Sequence, residues 1–294
     1  MIIATLVHPD SVPSSTLDEA ARLLGGASAT WLDAPQAVAL TPPAPMDLAA
    51  ARALLAPLEA RADILVRPAG LVPRLFVADM DSTMIGCECI DELADYAGRK
   101  PEIAAITERA MRGELDFAAA LRARVAALAG LGQEAIDACL AERVRPNPGA
   151  ATLVASLRAQ GVRTVLVTGG FTAFAGPVAA MLGFDQFVAN RLGIRDGRLT
   201  GVVEAPIIDA QAKRATLIAQ AQPLGGPAVA IAMGDGANDI PMLAAAGLGV
   251  AYRAKPRAAA AADARITHGD LTALLHALGW PRHRWVMASP GALP

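Results

Sequence analysis

Apolar residues are spaced in one way before about residue 70 and in another way after it. In residues 1–70, short apolar segments of strand length alternate with longer segments in which leucine and alanine recur at helical spacing. The strand-like segments are 2–7, 29–40 and 64–66, and the helical ones are 17–24 and 46–62. Pro68 and Gly70 mark a connecting segment after them. We therefore predict a small, separate α/β domain at residues 1–70.

From residue 71 to residue 294, continuous apolar segments alternate with helical ones. The strand-like segments are 75–78, 162–167, 228–233 and 249–251, and the clearest helices cover 172–182 and 240–246. Alternation of strand and helix predicts a parallel sheet with helices on both faces. Ligands of such sheets bind beyond the carboxyl ends of the strands. We therefore expect the functional residues of a second domain, 71–294, at those ends.

The segment at about 88–145 interrupts this alternation. It contains several helical patterns and no strand-like segment, although a crossover between two parallel strands needs only one helix. We interpret it as a helical cap inserted over the site. A second interruption is 190–203, where Asp196-Gly197 separates two alternating segments and predicts a β-hairpin.

Charge and composition exclude several classes of protein. The formal net charge is −2, so the sequence lacks the basic surface of a nucleic-acid-binding protein and the polybasic patch of a membrane-binding one. No apolar segment reaches the ~18 residues of a transmembrane helix, and the apolar start lacks the basic residues of a signal peptide. The three cysteines, Cys87, Cys89 and Cys139, have no spacing typical of a disulfide framework or a zinc site. We expect a cytoplasmic protein with free thiols.

Polar residues cluster where three predicted parallel strands end. They are Asp79 and Asp81 after 75–78, Thr168, Gly169 and Gly170 after 162–167, and Asp235, Asn238 and Asp239 after 228–233. Lys213 precedes the third of these strands. Taken singly, such carboxylates also serve as turn residues or helix caps. Asp239 fits the cap of the helix at 240–246, and Lys213 fits an exposed position on a helix.

Taken together, these residues have the chemistry of a metal-assisted phosphate site. Mg²⁺ prefers oxygen ligands, usually one or two carboxylates completed by water and a substrate phosphate. Thr168 and the two glycines after it can offer a hydroxyl and backbone N–H groups to a phosphate, and Lys213 can balance its charge. The sequence contains no G-x-x-x-x-G-K-[ST] segment, which excludes a P-loop.

The four segments, in this order, resemble the four motifs of the haloacid dehalogenase-like phosphatases. The segments are Asp79-Met80-Asp81-Ser82-Thr83, Thr168-Gly169-Gly170, Lys213 and Gly234-Asp235-Gly236-Ala237-Asn238-Asp239. Over about 74–278 the resemblance is closest to the phosphoserine phosphatases, through Glu88, Met111, Phe117, Arg124 and the segment Ala189-Asn190-Arg191-Leu192. Many members have serine where this chain has Thr168, and either hydroxyl can serve. The resemblance implies an α/β fold with a Rossmann-like parallel sheet core and an inserted helical cap.

The resemblance also implies a magnesium-dependent phosphatase that forms an aspartyl-phosphate. Asp79 is then the nucleophile, and Asp81 is the general acid and later the general base. The carboxylates of Asp79 and Asp235 and the main-chain carbonyl of Asp81 hold Mg²⁺, with Asp239 as a weaker contact. The residues that bind the phosphoryl oxygens are Thr168, Gly169, Gly170, Lys213 and Asn238.

Four residues of the cap receive substrate-binding roles from the same resemblance. Arg124 pairs with the carboxylate of O-phosphoserine and Glu88 with its ammonium group, while Met111 and Phe117 contact the substrate. From the residues alone, Arg124 and Glu88 fit equally well as surface charges on amphipathic helices. Met111 and Phe117 fit equally well as core residues of the cap.

Three functions fit this pattern. The first is hydrolysis of O-phospho-L-serine to serine and phosphate, which is the last step of serine biosynthesis. The alternatives are a phosphatase or phosphotransferase acting on another small phosphomonoester, and a catalytically silent regulator that binds a metabolite. Four intact motifs argue against the silent regulator. For residues 1–70 the resemblance implies an ACT-like regulatory domain, and a structural or dimerising appendage, hence a homodimer, fits equally well.

Overall fold

The computed structural model describes residues 1–111 and 114–291, with the backbone alone at Ala110 and Met111. The strands are β1 (Ile2–Val7), β2 (Ser28–Asp33), β3 (Ala37–Thr41), β4 (Asp63–Pro68), β5 (Leu75–Ala78), β6 (Arg163–Phe171), β7 (Gln186–Arg195), β8 (Arg198–Glu204), β9 (Ala230–Gly234), β10 (Leu248–Tyr252) and β11 (Ala264–Ile266). The helices are α1 (Ser14–Leu23), α2 (Leu48–Leu55), α3 (Cys89–Tyr96), α4 (Lys100–Met111), α5 (Phe117–Ala126), α6 (Glu134–Arg143), α7 (Ala150–Ala159), α8 (Thr172–Leu182), α9 (Ala210–Ala221), α10 (Ile240–Ala245), α11 (Pro256–Ala261) and α12 (Ala273–Ala277).

The first sheet is antiparallel, with strand order β2-β3-β1-β4, and its elements follow the chain order β-α-β-β-α-β. Its core consists of apolar residues from both helices and the sheet, such as Leu6, Leu24 and Leu55. The predicted strand at 29–40 is a hairpin instead, because the chain reverses at 33–36 and Pro35 cannot donate to a ladder. The predicted helix at 46–62 ends at Leu55, directly before a short 3₁₀ turn that contains Pro57.

The second sheet has strand order β11-β10-β9-β5-β6-β7-β8, and only β8 runs antiparallel to its neighbour. The strand β5 is central, and the register pairs Ala78 with Leu166 on one side and with Met233 on the other. The ends of β5 and β9 are therefore level with Leu166 of β6, and β6 continues to Phe171, so that Thr168, Gly169 and Gly170 form its last part. The predicted α/β fold with a parallel sheet core is confirmed, and so is the hairpin around Asp196-Gly197.

Among the described residues, the helices α3 to α7 lie between β5 and β6; α3 to α6 form the inserted cap, and α7 leads back into β6. The hairpin of β7 and β8 supports this cap, since the amide of Gly130 donates to the Leu199 carbonyl and the amide of Leu199 donates to the Leu131 carbonyl, both at 2.8 Å. Gly201 allows a close approach: a Cβ there would lie 2.9 Å from the Ala129 side chain, in a backbone conformation with φ of +77°. The cap is thus held against the rim of the sheet. None of the described helices is long and apolar enough to cross a bilayer.

The N-terminal sheet is joined to the core through β4. The carboxylate of Asp63 accepts hydrogen bonds from three consecutive backbone amides of the core, those of Thr267 (2.6 Å), His268 (2.9 Å) and Gly269 (2.7 Å). The guanidinium of Arg67 donates to the carbonyl of Ala277. These charged groups are buried and paired, which is the condition under which buried charge is tolerated.

His276 lies beside this junction, and its charge state makes the stability depend on pH. The side chain is 4% exposed, and its Nδ1 has no hydrogen-bond partner in the described part of the chain. Burial lowers the pKa of His276 from 6.5 to about 4, and Arg282 acts in the same direction, whereas the carboxylates of Asp33 and Asp270 oppose it. The unfolded chain therefore binds a proton below pH 6.5 that the folded chain takes up only near pH 4.

We expect acidification from pH 7 to pH 4.5 to cost the wild type about 2 to 3 kcal/mol more than the His276→Gln variant, because only the wild type must keep this imidazole neutral. The measurement is the free energy of unfolding in urea at both pH values. The exposed His283, changed to Gln, is the matched control and should behave as the wild type. Equal acid sensitivity of wild type and His276→Gln would show that His276 is protonated in the folded state.

Candidate active site

Asp79 is the first residue after the central strand, and its backbone continues the sheet. Its amide donates to the carbonyl of Met233 at 2.9 Å, and the chain then enters a wide turn, Met80–Met84, closed by a hydrogen bond from Ile85 to Met80. Ser82 adopts a positive φ of 55° within this turn. Non-glycine residues adopt this conformation rarely, so the turn is held in place by its surroundings.

Lys213 lies beneath Asp79 with no exposure to solvent. Its ammonium group is 2.7 Å from Asp79 Oδ1 and 2.8 Å from Asp239 Oδ1. Burial alone would lower the pKa of Lys213, but these two carboxylates raise it above its usual value. The lysine is therefore a fixed positive charge. It lies on the first turn of α9, whose start is capped by Asp209: the Asp209 carboxylate accepts from the amide of Ala212 at 2.8 Å.

Three buried carboxylates, those of Asp79, Asp235 and Asp239, each offer an oxygen within 4.8 Å of the others. Burial and the neighbouring Asp239 carboxylate raise the pKa of Asp79 well above its usual value, and the pKa of Asp235 is raised for the same reasons. Among the described residues, two lysines pair with these carboxylates. They are the buried Lys213 and the exposed Lys255, whose ammonium group is 3.7 Å from Asp235. Negative charge is thus in excess, and the oxygen donors fit a divalent cation.

Asp239 has a second function in the backbone around this group. Its Oδ2 accepts hydrogen bonds from the amides of Asp235 (3.2 Å) and Gly236 (2.9 Å). Gly234 is required for this arrangement, since a Cβ there would lie 2.4 Å from the Asp239 carboxyl carbon. Thr83 Oγ1 donates to Asp235 Oδ1 at 3.0 Å and orients the third carboxylate. The acidic group is therefore rigid before any ligand arrives.

Asp81 points into the cleft beside Asp79. One carboxylate oxygen accepts from the amide of Cys89 at 3.0 Å, and the other accepts from the hydroxyl of Thr168 at 3.3 Å. Burial and the negative charge of Glu88 raise the pKa of Asp81 to about 6. A carboxyl group with this pKa can donate a proton and take one back near neutral pH.

The segment Thr168-Gly169-Gly170 forms the opposite wall of the cleft. Thr168 Oγ1 also accepts from the amide of Gly170 at 2.8 Å, which fixes the hydroxyl. A Cβ at Gly170 would lie 2.8 Å from Asp81 Oδ2, so glycine is required there. Asn190 holds the segment from behind by donating to the Gly169 carbonyl at 2.8 Å. The wall can therefore present the Thr168 hydroxyl to a phosphate, with the backbone N–H of Gly170 bonded beside it.

The cap supplies the remaining walls of this cleft, which encloses about 560 Å³ of empty space, part of it open to solvent. Arg124 is half-buried, and its Nε is buried with no hydrogen-bond partner among the described residues. Burial lowers the pKa of Arg124, while Asp91, Glu88 and Asp81 oppose the shift. Glu88 Oε1 accepts from the Ser82 hydroxyl at 2.6 Å. An unpartnered, buried guanidinium N–H at the wall of a cleft is a site for an anionic group of a ligand.

The structure brings together the residues that the sequence singled out, within the described part of the chain. The cleft is lined by Asp79, Asp81, Glu88, Phe117, Arg124, Thr168, Gly169, Gly170, Asp235 and Asn238. Lys213 and Asp239 lie directly behind this surface. The side chain of Met111 lies outside the described residues. The sequence analysis missed Lys255, although its position just past β10 at a strand end was the available signal, and it missed the contacts of Thr83 and Asn190.

Family profiles match the residues that carry this site. Two profiles described as haloacid dehalogenase-like hydrolase match this chain, one over residues 76–244 and the other over residues 217–278. The chain belongs to the haloacid dehalogenase-like hydrolase family. The strand ends that hold Asp79, Thr168 and Asp235 all lie within the first match. The resemblance inferred from the four motifs is thereby confirmed.

Within the haloacid dehalogenase-like family, the chain is similar to phosphoserine phosphatases. The phosphoserine phosphatase of Polaromonas sp. (strain JS666) is 49% identical over 208 residues, which cover 69% of this chain and 88% of the relative. A probable phosphoserine phosphatase from Vibrio cholerae has a structure with a TM-score of 0.75 at 30% identity, covering 96% of this chain and 87% of that one. A phospho-aspartyl intermediate analogue of phosphoserine phosphatase matches with a TM-score of 0.64 at 38% identity over 69% of this chain and 97% of that one.

Proposed function

We propose that this protein is a phosphoserine phosphatase that hydrolyses O-phospho-L-serine through an aspartyl-phosphate at Asp79. The observation that carries the proposal is one cleft with two halves. The sheet half supplies a buried nucleophile and oxygen donors for a cation, and the cap half supplies Arg124 with an unpartnered Nε beside Glu88. The first half fits any phosphomonoester, and the second fits an amino-acid head group.

The proposed first step is attack by a carboxylate oxygen of Asp79 on phosphorus. Lys213, held 2.7 Å from Asp79, orients this carboxylate and favours its ionised form against burial. The side chains and amides available for the phosphoryl oxygens come from Thr168, Gly169, Gly170 and Asn238. The hydrogen bonds from these groups strengthen as negative charge accumulates on the phosphoryl oxygens in the transition state. The phosphoryl group ends on Asp79 and the seryl oxygen departs.

Asp81 transfers the proton in both halves of the proposed reaction. In its neutral form it protonates the departing serine oxygen, and as the resulting carboxylate it activates the water that cleaves the aspartyl-phosphate. The pKa of about 6 suits both tasks, because neither form is strongly favoured near neutral pH. The hydrogen bonds from Cys89 and Thr168 keep the carboxyl group aimed at the cleft in either state.

A divalent cation completes the proposed site, and we propose Mg²⁺. The residues that would hold it are Asp79 and Asp235, with the main-chain carbonyl of Asp81 and with Asp239 as a weaker contact. A bound cation supplies charge neutralisation at the phosphoryl oxygens. The excess of negative charge among three buried carboxylates supports this assignment.

A panel of phosphomonoesters tests the proposed substrate. We expect phosphate release from O-phospho-L-serine at a kcat/KM at least about tenfold above that for glycerol phosphate, phosphoethanolamine and p-nitrophenyl phosphate, because each of these lacks the carboxylate that Arg124 would pair with. The control is O-phospho-L-threonine, which keeps the head group and adds a methyl. Preference for a different ester would leave the assignment as a phosphatase intact but contradict phosphoserine as the substrate. Transfer of the phosphoryl group to an added alcohol, without phosphate release, would indicate a phosphotransferase.

Removal of the cation should reduce the activity to about a tenth or less, since the excess negative charge then remains on Asp79 and Asp235. The measurement is phosphate release before and after treatment with excess chelator, followed by readdition of Mg²⁺. We expect Ca²⁺ not to restore activity, because it takes more ligands and can bind both oxygens of the nucleophile. Binding is read separately from the melting temperature, which Mg²⁺ should raise in the absence of substrate. Undiminished activity in chelator would contradict the metal assignment.

We further propose that residues 1–70 form an ACT-like regulatory domain and residues 71–294 the phosphatase domain, with the cap at about 88–145. The β-α-β-β-α-β order of the first sheet supports the first part. Free thiols at all three cysteines support a cytoplasmic location, where this hydrolysis would end serine biosynthesis. Assembly into a homodimer is tested by light scattering.

A further inference from the structure

Lys255 is a cationic residue of the catalytic cleft that has no role in the proposed reaction. It lies just past β10, and the register of β9 and β10 pairs Gly234 with Ala251, which places this loop beside Asp235. The amide of Lys255 donates to the carbonyl of Asp235 at 2.9 Å. Pro256 follows at the start of α11 and restricts Lys255 to the extended backbone that it adopts (φ −61°, ψ 151°). The backbone of Lys255 is therefore fixed at the wall of the cleft.

The side chain of Lys255, in contrast, is held weakly. It lines the cleft with 69% of its surface exposed, and its ammonium group is 3.7 Å from Asp235 Oδ2. A charge-assisted hydrogen bond to a carboxylate is about 2.7 to 2.9 Å long, so this contact is an ion pair without a hydrogen bond. Exposed ion pairs of this kind contribute little to stability. Lys213 is the opposite case, because it is buried between two carboxylates at 2.7 and 2.8 Å. Lys255 can therefore exchange Asp235 for another anion, and Lys213 is fixed.

The charges around the cleft favour this exchange of partner. Among the described residues, the lining includes four carboxylates and two cationic side chains, Arg124 on the cap and Lys255 beside the acidic group. Arg124 is the proposed partner of the substrate carboxylate, so Lys255 is the exposed positive charge that remains for the phosphate. Asp235 is a proposed ligand of the divalent cation. A bound cation therefore takes over the pairing with Asp235 and leaves the ammonium group of Lys255 without its partner.

We propose that Lys255 is a phosphate-binding residue, whose ammonium group moves from Asp235 to a phosphoryl oxygen of the bound ester and, after hydrolysis, of inorganic phosphate. The placement of Lys255 carries this inference: its backbone is fixed next to Asp235, and its exposed ammonium group has no hydrogen bond to give up. The inference rests on the proposed phosphatase reaction. It does not depend on phosphoserine, because every phosphomonoester presents the same phosphoryl oxygens and lysine binds them as a point charge.

Steady-state kinetics of the Lys255→Ala variant test this role. We expect KM to rise roughly five- to twentyfold for both phosphoserine and p-nitrophenyl phosphate, while kcat changes less than about threefold, because Lys255 contacts the phosphate before the transition state as well as in it. Lys255→Arg keeps the positive charge and should recover most of the wild-type KM. The matched control is Arg257→Ala, which removes an exposed positive charge of α11 that does not line the cleft and should leave KM unchanged.

Binding of inorganic phosphate, measured by titration calorimetry at saturating Mg²⁺, tests the same contact without turnover. We expect the Kd of phosphate to rise in Lys255→Ala by about the same factor as KM, and Lys255→Arg to restore it. Added salt should weaken phosphate binding more in the wild type than in Lys255→Ala, since screening acts on the exposed ammonium group. The calorimetry uses the product alone, so it still tests Lys255 if phosphoserine is not the substrate. Failure of the proposed substrate and failure of this role are thus distinguishable.

Mg²⁺ binding separates phosphate binding by Lys255 from a purely structural role. A lysine that only oriented Asp235 would, when lost, weaken Mg²⁺ binding and leave the affinity for phosphate at saturating Mg²⁺ unchanged. If Lys255 binds phosphate, Lys255→Ala should bind Mg²⁺ at least as tightly as the wild type, because a positive charge beside the proposed ligand Asp235 is removed. Mg²⁺ binding is read from the rise in melting temperature in the absence of phosphate. Unchanged KM and unchanged phosphate Kd in a folded Lys255→Ala protein would overturn the proposal, as would weaker Mg²⁺ binding with unchanged phosphate affinity.

Discussion

The Asp79→Asn variant is expected to lose phosphatase activity by about ten-thousandfold or more while keeping its fold. Asparagine has nearly the shape of aspartate but neither its negative charge nor a nucleophilic oxygen of comparable strength. Lys213 keeps its second partner, Asp239, at 2.8 Å, so the buried ammonium group stays paired. The measurement is kcat for phosphoserine hydrolysis, with the fold checked by circular dichroism and by the melting temperature.

Two controls separate chemistry from structure in this variant. Asp10→Asn makes the same substitution at an exposed position away from the cleft and should keep wild-type activity. The rise in melting temperature with Mg²⁺ should be smaller in Asp79→Asn than in wild type, because one proposed ligand is lost. Wild-type turnover by a folded Asp79→Asn protein would exclude an aspartyl-phosphate at this residue.

The carboxyl ends of the parallel strands were predictable because a buried strand is a continuous apolar segment with polar residues directly after it. The strand Leu75–Ala78 and the helix Thr172–Leu182 have the predicted bounds. Central strands are buried on both faces and are therefore continuous apolar segments, but β6 extends past its predicted end at residue 167 to Phe171 and includes Thr168, Gly169 and Gly170. The polar residues at these ends then belong to one site, because the parallel register brings Ala78, Leu166 and Met233 level with one another.

Contacts that join distant parts of the chain were not predictable in the same way. Thr83 donates to Asp235 across 152 positions of sequence, and no periodicity records such a pair. The helix α11 and the strand β11 were missed because the alanine-rich segment around 256–264 has no period that distinguishes strand from helix.

Substrate choice is the property of the site that the fold leaves open, and Arg124 is where it can be tested. Its half-buried guanidinium has an unpartnered Nε and lies in the same cleft as Glu88. Loss of one partner from a buried charge pair costs roughly 2 to 5 kcal/mol. We therefore expect Arg124→Ala to lower kcat/KM for phosphoserine by roughly 30-fold to several-thousandfold. Hydrolysis of p-nitrophenyl phosphate, which has no carboxylate, should change much less.

Glu88→Gln and Arg122→Ala complete this experiment. Glu88→Gln removes the charge proposed to pair with the substrate ammonium and should also affect phosphoserine more than p-nitrophenyl phosphate. Arg122 lies on the same helix, α5, with its side chain exposed, so Arg122→Ala controls for loss of an arginine from the cap. A parallel fall of both substrates in Arg124→Ala would mean that Arg124 acts in cap closure or cap stability. Recognition of the amino-acid head group would then require other residues, and phosphoserine would lose its main structural support as the substrate.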